Sequence, residues 1–256
     1  MKSIDTGLRI LALFKDAERP LGVVEIADRL DLGKSHVSRI LATMRDMGFL
    51  QQDRDTRKYR VGIEAFAVGS RFLADQAMTR LALPLMRACS EATGHSIFLS
   101  VRHAHACRHI LAVEGRHFED SQWRLGVRLP LHASASGKLF VALSGDAERE
   151  VLIADTPLQR YTADTITDRA MFRAAVGAVR RNGWAVARGE TVAGLGACAV
   201  PVVADAEALV AAFGVVAPLR YLPDDLSPLV RDLSRHAQLL SFQLGARVYP
   251  ENRVAS

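Results

Sequence analysis

The chain has 256 residues, 49% hydrophobic and 24% charged, with a formal net charge of +5, an ordinary balance for a soluble globular protein with a buried core of one large or two modest domains. No run approaches the ~18 consecutive apolar residues of a membrane span. The opening stretch, interrupted by Asp5 and Arg9 and followed by no small-residue cleavage site, lacks the shape of a signal peptide, so a cytoplasmic protein without membrane contact is expected.

In chain order, the first segment reads as a helix with Ile4, Leu8, Leu11 and Phe14 on one face, broken at Arg19-Pro20-Leu21-Gly22. A short second helix turns Val23, Ile26, Ala27 and Leu30 inward. Asp31-Leu32-Gly33 then forms a tight turn, with Gly33 expected at positive φ. A third helix from Lys34 or Ser35 to Met47 buries Val37, Ile40, Leu41 and Met44 and stops at Gly48. Beyond Gly48 the period becomes alternating: residues 49–53 and 58–61 read as two short strands around the polar turn Arg54-Asp55-Thr56-Arg57. Helices meeting at a turn, then a β-hairpin, are the plan of a winged helix-turn-helix, placed at residues 1–62.

Residues 63–77 read as a linker helix. Its stripe Ile63, Phe66, Ala67, Ser70 has too little core of its own and would be buried against a second copy of the chain. Residues 78–250 have an α+β texture. A helix through Leu81, Leu85 and Met86 ends at Thr93-Gly94, and 96–101 and 108–113 form a strand pair. A helix starts near Ala135, and another runs over 167–182 with Phe172, Val176 and Val179 inward. Strands follow at 184–188, 197–203 and 209–217. A closing helix has Ser227-Pro228 as N-cap and first residue and the stripe Leu229, Val230, Leu233, Ala237, Leu240, Leu244.

The positive charge is local. Between Lys34 and Arg60 seven cations stand against three anions, nearly the whole excess of the chain. With the apolar stripe of the third helix buried, its other face shows Lys34, Ser35, His36, Ser38, Arg39, Thr43 and Arg45. Ser35, His36, Ser38 and Arg39 suit base edges in a major groove, and Lys34 and Arg45 suit phosphates. Arg54, Arg57 and Lys58 at the hairpin tip would reach flanking backbone. Double-stranded operator DNA is therefore the expected partner. A solvated basic helix beside an incidental hairpin is the blander alternative, disfavoured because the charge falls on helix and wing together.

Residues 23–62, VVEIADRLDLGKSHVSRILATMRDMGFLQQDRDTRKYRVG, resemble the N-terminal domain of the isocitrate-lyase-regulator (IclR) family of bacterial transcription regulators. The stretches Gly126–Lys138 (GVRLPLHASASGK), Thr156-Pro157-Leu158, Tyr161 to Thr167, and Gly183-Trp184-Ala185-Val186 through Glu190-Thr191-Val192-Ala193-Gly194 to Pro201-Val202 extend the resemblance, in order, over nearly the whole chain. It implies a GAF-like effector domain and a homodimer or dimer of dimers on a partly palindromic operator.

In the second domain, Leu131-His132-Ala133-Ser134-Ala135-Ser136-Gly137-Lys138 places small residues before a helix. Free backbone N–H groups there favour a carboxylate, and Ser134 and Ser136 could add hydroxyl donors. On the residues alone, an ordinary Ser-capped helix is the preferred reading. The resemblance makes the loop a border of the effector site and carries over Leu129, Ala135, Ser136, Ala187, Leu195, Ala197, Gly214 and Val216, with Phe118 and Ser121 less securely aligned. Ala187 stands where many relatives have an acidic residue, and Gly214 and Val216 where a small-oxoacid binder has hydroxyls. A pocket with fewer polar partners suits a bulkier or aromatic organic acid of a catabolic pathway.

Cys89, Cys107 and Cys198 are odd in number and far apart, which indicates neither a zinc ribbon nor a disulfide framework. His103, His105 and Cys107 alternate at a spacing that could ligate metal, but they straddle a strand junction better read as a turn, so no metal and no cofactor are expected. An enzyme is the first rival reading. No G-x-S-x-G elbow, P-loop or H-E-x-x-H occurs, so catalysis is not expected. The second rival, a DNA-binding domain on a purely oligomerising scaffold, leaves the small-residue anion loop without a purpose.

Overall fold

The computed structural model describes residues 2–15, 17, 19–116, 125–205 and 208–250. The chain divides into two compact units, Met1–Gln76 and Ala77–Ser256.

The first unit begins with α1 (Lys2–Leu13), α2 (Val23–Leu30) and α3 (Lys34–Asp46). Its core joins Ile10, Phe14, Leu21, Ile26, Ala27, Val37, Leu41, Leu50 and Tyr59. The buried face of α1 differs from the expected stripe: Thr6, Gly7, Ile10 and Phe14 turn inward, while Ile4 and Leu8 are 71% and 62% exposed. Gly7 faces the Met44 side chain, whose terminal methyl an added Cβ would meet at 3.4 Å. The left-handed residue of the turn is also not the expected one. Asp31 takes φ 53° and Gly33 keeps φ −65°. The Leu32 N–H closes the end of α2 on the Ala27 carbonyl at 2.9 Å.

After α3, Gly48 at φ 75° reverses the chain, with the Phe49 N–H bonding the Met44 carbonyl at 2.9 Å. Strands β1 (Leu50–Gln52) and β2 (Tyr59–Val61) pair antiparallel as the wing. Leu21 exchanges both backbone hydrogen bonds with Tyr59, which fixes the wing to the segment before α2. Helix α4 (Ile63–Asp75) follows and buries none of its side chains; Ile63, Phe66, Val68 and Phe72 are all at least half exposed.

The second unit contains α5 (Ala77–Thr93), β3 (Ser96–His103), β4 (Ala106–Val113), β5 (Arg128–Pro130), α6 (Ala135–Leu143), α7 (Asp146–Asp155), α8 (Arg169–Asn182), β6 (Ala185–Arg188), β7 (Leu195–Val203), β8 (Leu209–Pro218) and α9 (Ser227–Gln243). The strands form one antiparallel sheet in the order β5-β4-β3-β8-β7-β6. Two elements, β5 and α7, went unread in the sequence. Ser227 is the first residue of α9 rather than its cap; Asp225 Oδ1 accepts the Ser227 N–H at 2.9 Å instead. No helix among the described residues is long and apolar enough to cross a membrane.

Alternation along the strands gives the sheet two unlike faces. One packs Ile97, Leu99, Val200, Val202, Phe213 and Val215 against Met86 of α5 and Leu229, Val230, Leu233 and Leu240 of α9. The other sets the small side chains Ala185, Ala187, Ala199 and Ala212 against Leu139 and Phe140 of α6, Leu152 of α7 and Phe172 and Val176 of α8. The first face is filled by large side chains. The second presents mostly small ones.

Candidate functional site

On α3, Lys34, Ser35, Ser38, Arg39 and Thr43 are exposed on one face, and His36 is half-buried. Among the described residues, no carboxylate pairs with Lys34, Arg39, Arg54, Arg57 or Lys58, so five cations of helix and wing are unneutralised. The hydroxyl of Thr43 donates to the Arg39 carbonyl at 3.0 Å, four residues back. Arg45 is tied down: Nε and Nη2 bond Asp46 Oδ1 at 2.9 and 2.7 Å, and Nη1 bonds Gln52 Oε1 at 3.2 Å. Its guanidinium braces the wing against α3, a use not foreseen in assigning it to a phosphate. At the wing tip Asp53 Oδ1 accepts from the N–H and hydroxyl of Thr56, both at 2.8 Å, and these bonds hold its carboxyl below the usual carboxylate range. Arg57 takes φ 57°, turning the chain back so that Arg54, Arg57 and Lys58 stand exposed around the tip.

In the second unit the loop before α6 is built as a cap. Ser134 Oγ donates to the Pro130 carbonyl at 2.6 Å and accepts the Gly137 N–H at 3.1 Å. Its hydroxyl is thus committed to the loop, against the expectation that it offers a donor to a ligand. The N–H groups of Ala135 and Ser136, in the first turn, have no intrahelical partner. Gly137 is required by close approach, since a Cβ would lie 2.5 Å from Leu131 Cα.

Below α6, cross-strand pairs on the small-residue face form rows. One runs Ala187–Ala197–Val216–Ser96, the next Ala185–Ala199–Gly214–Phe98–Ala112, and the third Pro201–Ala212–Ser100–His109. The expected residues Ala187, Ala197, Gly214 and Val216 are therefore contiguous, with Leu195 two positions from Ala197 on β7. Leu129 lies on β5 opposite Cys107, at the far edge. Phe118 and Ser121 lie outside the described residues.

Sequence reasoning missed Ser100 and His109. Ser136 Oγ donates to Ser100 Oγ at 3.1 Å, and Ser100 Oγ meets His109 Nδ1 at 2.8 Å, all three residues buried. The His109 ring lies 4.5 Å from that of Phe98, and burial pushes its pKa down to about 4, so it is neutral near pH 7. The signal was present as polar residues at inward positions of two apolar strands.

A second polar cluster supports the loop. Lys138 Nζ bonds Glu190 Oε1 at 2.6 Å, and Thr191 Oγ1 donates to the Ala133 carbonyl at 2.6 Å. Desolvation lowers the pKa of Lys138 despite Glu190. Desolvation lowers the pKa of His132 as well, and its Nε2 donates to the Gln159 carbonyl at 2.9 Å. His103 and His105 flank an exposed turn, and no group of three or more metal-ligating side chains occurs among the described residues. The three cysteines are buried free thiols, each pushed up to about 12 by desolvation.

Comparison with known proteins agrees with this architecture. A model of the IclR helix-turn-helix domain matches residues 3–54, and one of the bacterial transcriptional regulator IclR C-terminal domain matches residues 71–242. The chain is 28% identical over 251 residues to the HTH-type transcriptional regulator KdgR of Escherichia coli K12, covering 97% of this chain and 95% of that one. It is 29% identical over 249 residues to the glycerol operon regulatory protein of Streptomyces griseus, covering 96% and 97%. Among solved structures, an IclR homologue from Microbacterium hydrocarbonoxydans complexed with 4-hydroxybenzoate superposes with a TM-score of 0.79 at 26% identity, covering 94% of this chain and 98% of that one. With both domains matched in order, the chain belongs to the IclR family of bacterial transcriptional regulators and is a DNA-binding regulator rather than an enzyme.

Proposed function

We propose that this regulator binds operator DNA through α3 and the wing, and that an organic acid with an aromatic or similarly bulky body, held between α6 and the small-residue face of the second unit's sheet, controls it. The observation that carries the reading is the set of small side chains, Ala185, Ala187, Ala197, Ala199, Ala212 and Gly214, in adjacent cross-strand rows beneath two N–H groups of α6 that have no intrahelical partner. The N–H groups suit a carboxylate, and the apolar floor suits a ring. The IclR homologue solved with 4-hydroxybenzoate supports this ligand class.

On the DNA side, Ser35, His36, Ser38 and Arg39 are the base-reading residues and Lys34, Arg54, Arg57 and Lys58 hold phosphates. Residues 63–77 serve as a linker whose exposed apolar side chains are covered by a second copy, in a homodimer or dimer of dimers acting in the cytoplasm. A thermal-shift series with aromatic acids and small oxoacids, followed by anisotropy titrations of DNA upstream of neighbouring genes, tests the reading. Stabilisation by aromatic acids with a change in DNA affinity supports it. Stabilisation by small oxoacids alone would overturn the ligand class.

A further inference from the structure

The pairing of β3 with β4 is irregular between Leu99 and Ser100: Leu99 faces Leu111, but Ser100 faces His109. The extra residue is Ile110. An unbroken ladder would pair His109 with Val101, whose side chain packs into the α5/α9 core, because directly opposed residues share a face. The bulge therefore re-aims His109 onto the small-residue face, beside Ser100 and under Ser136. A one-residue irregularity thus puts a buried imidazole where the ligand-side residues are.

The hydrogen bonds around it bear on its tautomer. Ser136 donates to Ser100, which leaves the Ser100 proton free to be given to His109 Nδ1, 2.8 Å away. A neutral imidazole with an accepting Nδ1 carries its proton on Nε2. The ring is 5% exposed, and Nε2 makes no hydrogen bond among the described residues. A donor there without a protein partner is open to an acceptor on a ligand. It stands one strand beyond Ser100, with Ser136 reached through the Ser100 hydroxyl.

We propose that His109 is a specificity-determining residue of the effector site, whose Nε2–H donates to an oxygen that an aromatic acid carries in addition to its carboxylate. The inference rests on the aromatic-acid reading above and adds the prediction that hydroxylated ring acids are preferred over unsubstituted ones.

The test uses the full-length protein with two probes, benzoate and 4-hydroxybenzoate. Nitrogen-15 spectra of the histidine side chains should show His109 as the Nε2–H tautomer in the free protein. The Nε2 resonance should shift with 4-hydroxybenzoate and much less with benzoate. Calorimetry should give a preference of about tenfold for the hydroxylated acid, the scale of one buried hydrogen bond. His109→Phe should erase the preference while retaining benzoate binding, and His109→Gln, which keeps an N–H donor, should restore part of it. Ser100→Ala, which leaves the ring in place, should reduce the preference by freeing the tautomer. An undiminished preference in His109→Phe, or equal loss of both probes, would overturn the assignment, the latter making His109 a carboxylate contact. If neither probe moves any resonance, the aromatic-acid reading falls and this preference with it; equal affinity for both in the native protein refutes the His109 assignment alone.

Discussion

Lys138 and Glu190 form an ion pair of 2.6 Å with side chains only 4% and 11% exposed, joining the first turns of α6 to the segment that follows β6. Glu190 Oε2 has no hydrogen-bond partner, so the pair is held by one short contact. Removing either member leaves the other buried without its counter-charge. Lys138→Met and Glu190→Leu should each cost about 3–5 kcal/mol, and the double variant less than the sum of the two. Urea denaturation of all four proteins checks this, and strict additivity would deny the pairing.

His109 sets an acid limit on stability. It titrates near 6.5 when unfolded and about 4 when folded, because burial disfavours the charged ring. The unfolded chain therefore binds the extra proton between those values, and stability falls as pH drops through that window, by an amount on the order of 3 kcal/mol. Above pH 6.5 the group contributes no slope. His109→Gln should lose this part of the acid sensitivity, measured as a shallower change in unfolding free energy between pH 7 and pH 4.5.

Gly214 and Val216 share one face of β8 but tolerate change differently. A Cβ at Gly214 would fall 2.3 Å from the Cys198 carbonyl oxygen and 3.0 Å from Ala199 Cα, both backbone atoms that cannot swing aside. Gly214→Ser should cost about 1–3 kcal/mol or more through strain. Val216, half-buried and part of the proposed effector site, should accept Ser at smaller cost to the fold and weaken binding of an aromatic acid. Melting temperatures and calorimetry on the two variants separate the effects.

Arg39 is exposed on the reading face of α3. Arg39→Ala should lose about 1–3 kcal/mol on the operator and much less on random duplex DNA. Lys58→Ala, at the wing tip, should weaken both and reduce the slope of log K against log salt by about 1. Anisotropy titrations at several salt concentrations read both outcomes, and a flat salt dependence in the native protein would refute the wing-and-helix interface.

The helix-turn-helix was legible because its signals are local: a 3.6-residue stripe in α3, Gly48 at the stop, alternation in the wing. The face of α1 was misread because apolar residues lie on two sides of it and the buried side includes Thr6 and Gly7, which add no apolar signal to the sequence. The positive φ was assigned to Gly33 because glycine adopts it most freely, whereas Asp31 carries it. In the second unit the strands β3, β4, β6, β7 and β8 were readable from their apolar runs. Three-residue β5 is too short to show a period, and half of the residues of α7 are charged. Ser100 and His109 stayed hidden because their meeting depends on the Leu99/Ser100 bulge, a pairing irregularity between strands.

The sheet of the second unit divides its labour between its two faces. Large side chains pack against α5 and α9, while alanines and a glycine front α6. If the effector lies on this face as proposed, lengthening a side chain such as Ala187 or Ala197 would subtract volume from the guest before it disturbs the α5/α9 packing. A lineage with this arrangement can shift its chemical preference one methyl group at a time, keeping its scaffold and its DNA-reading apparatus unchanged. Diversity of inducers within a common architecture is the evolutionary outcome such a division favours.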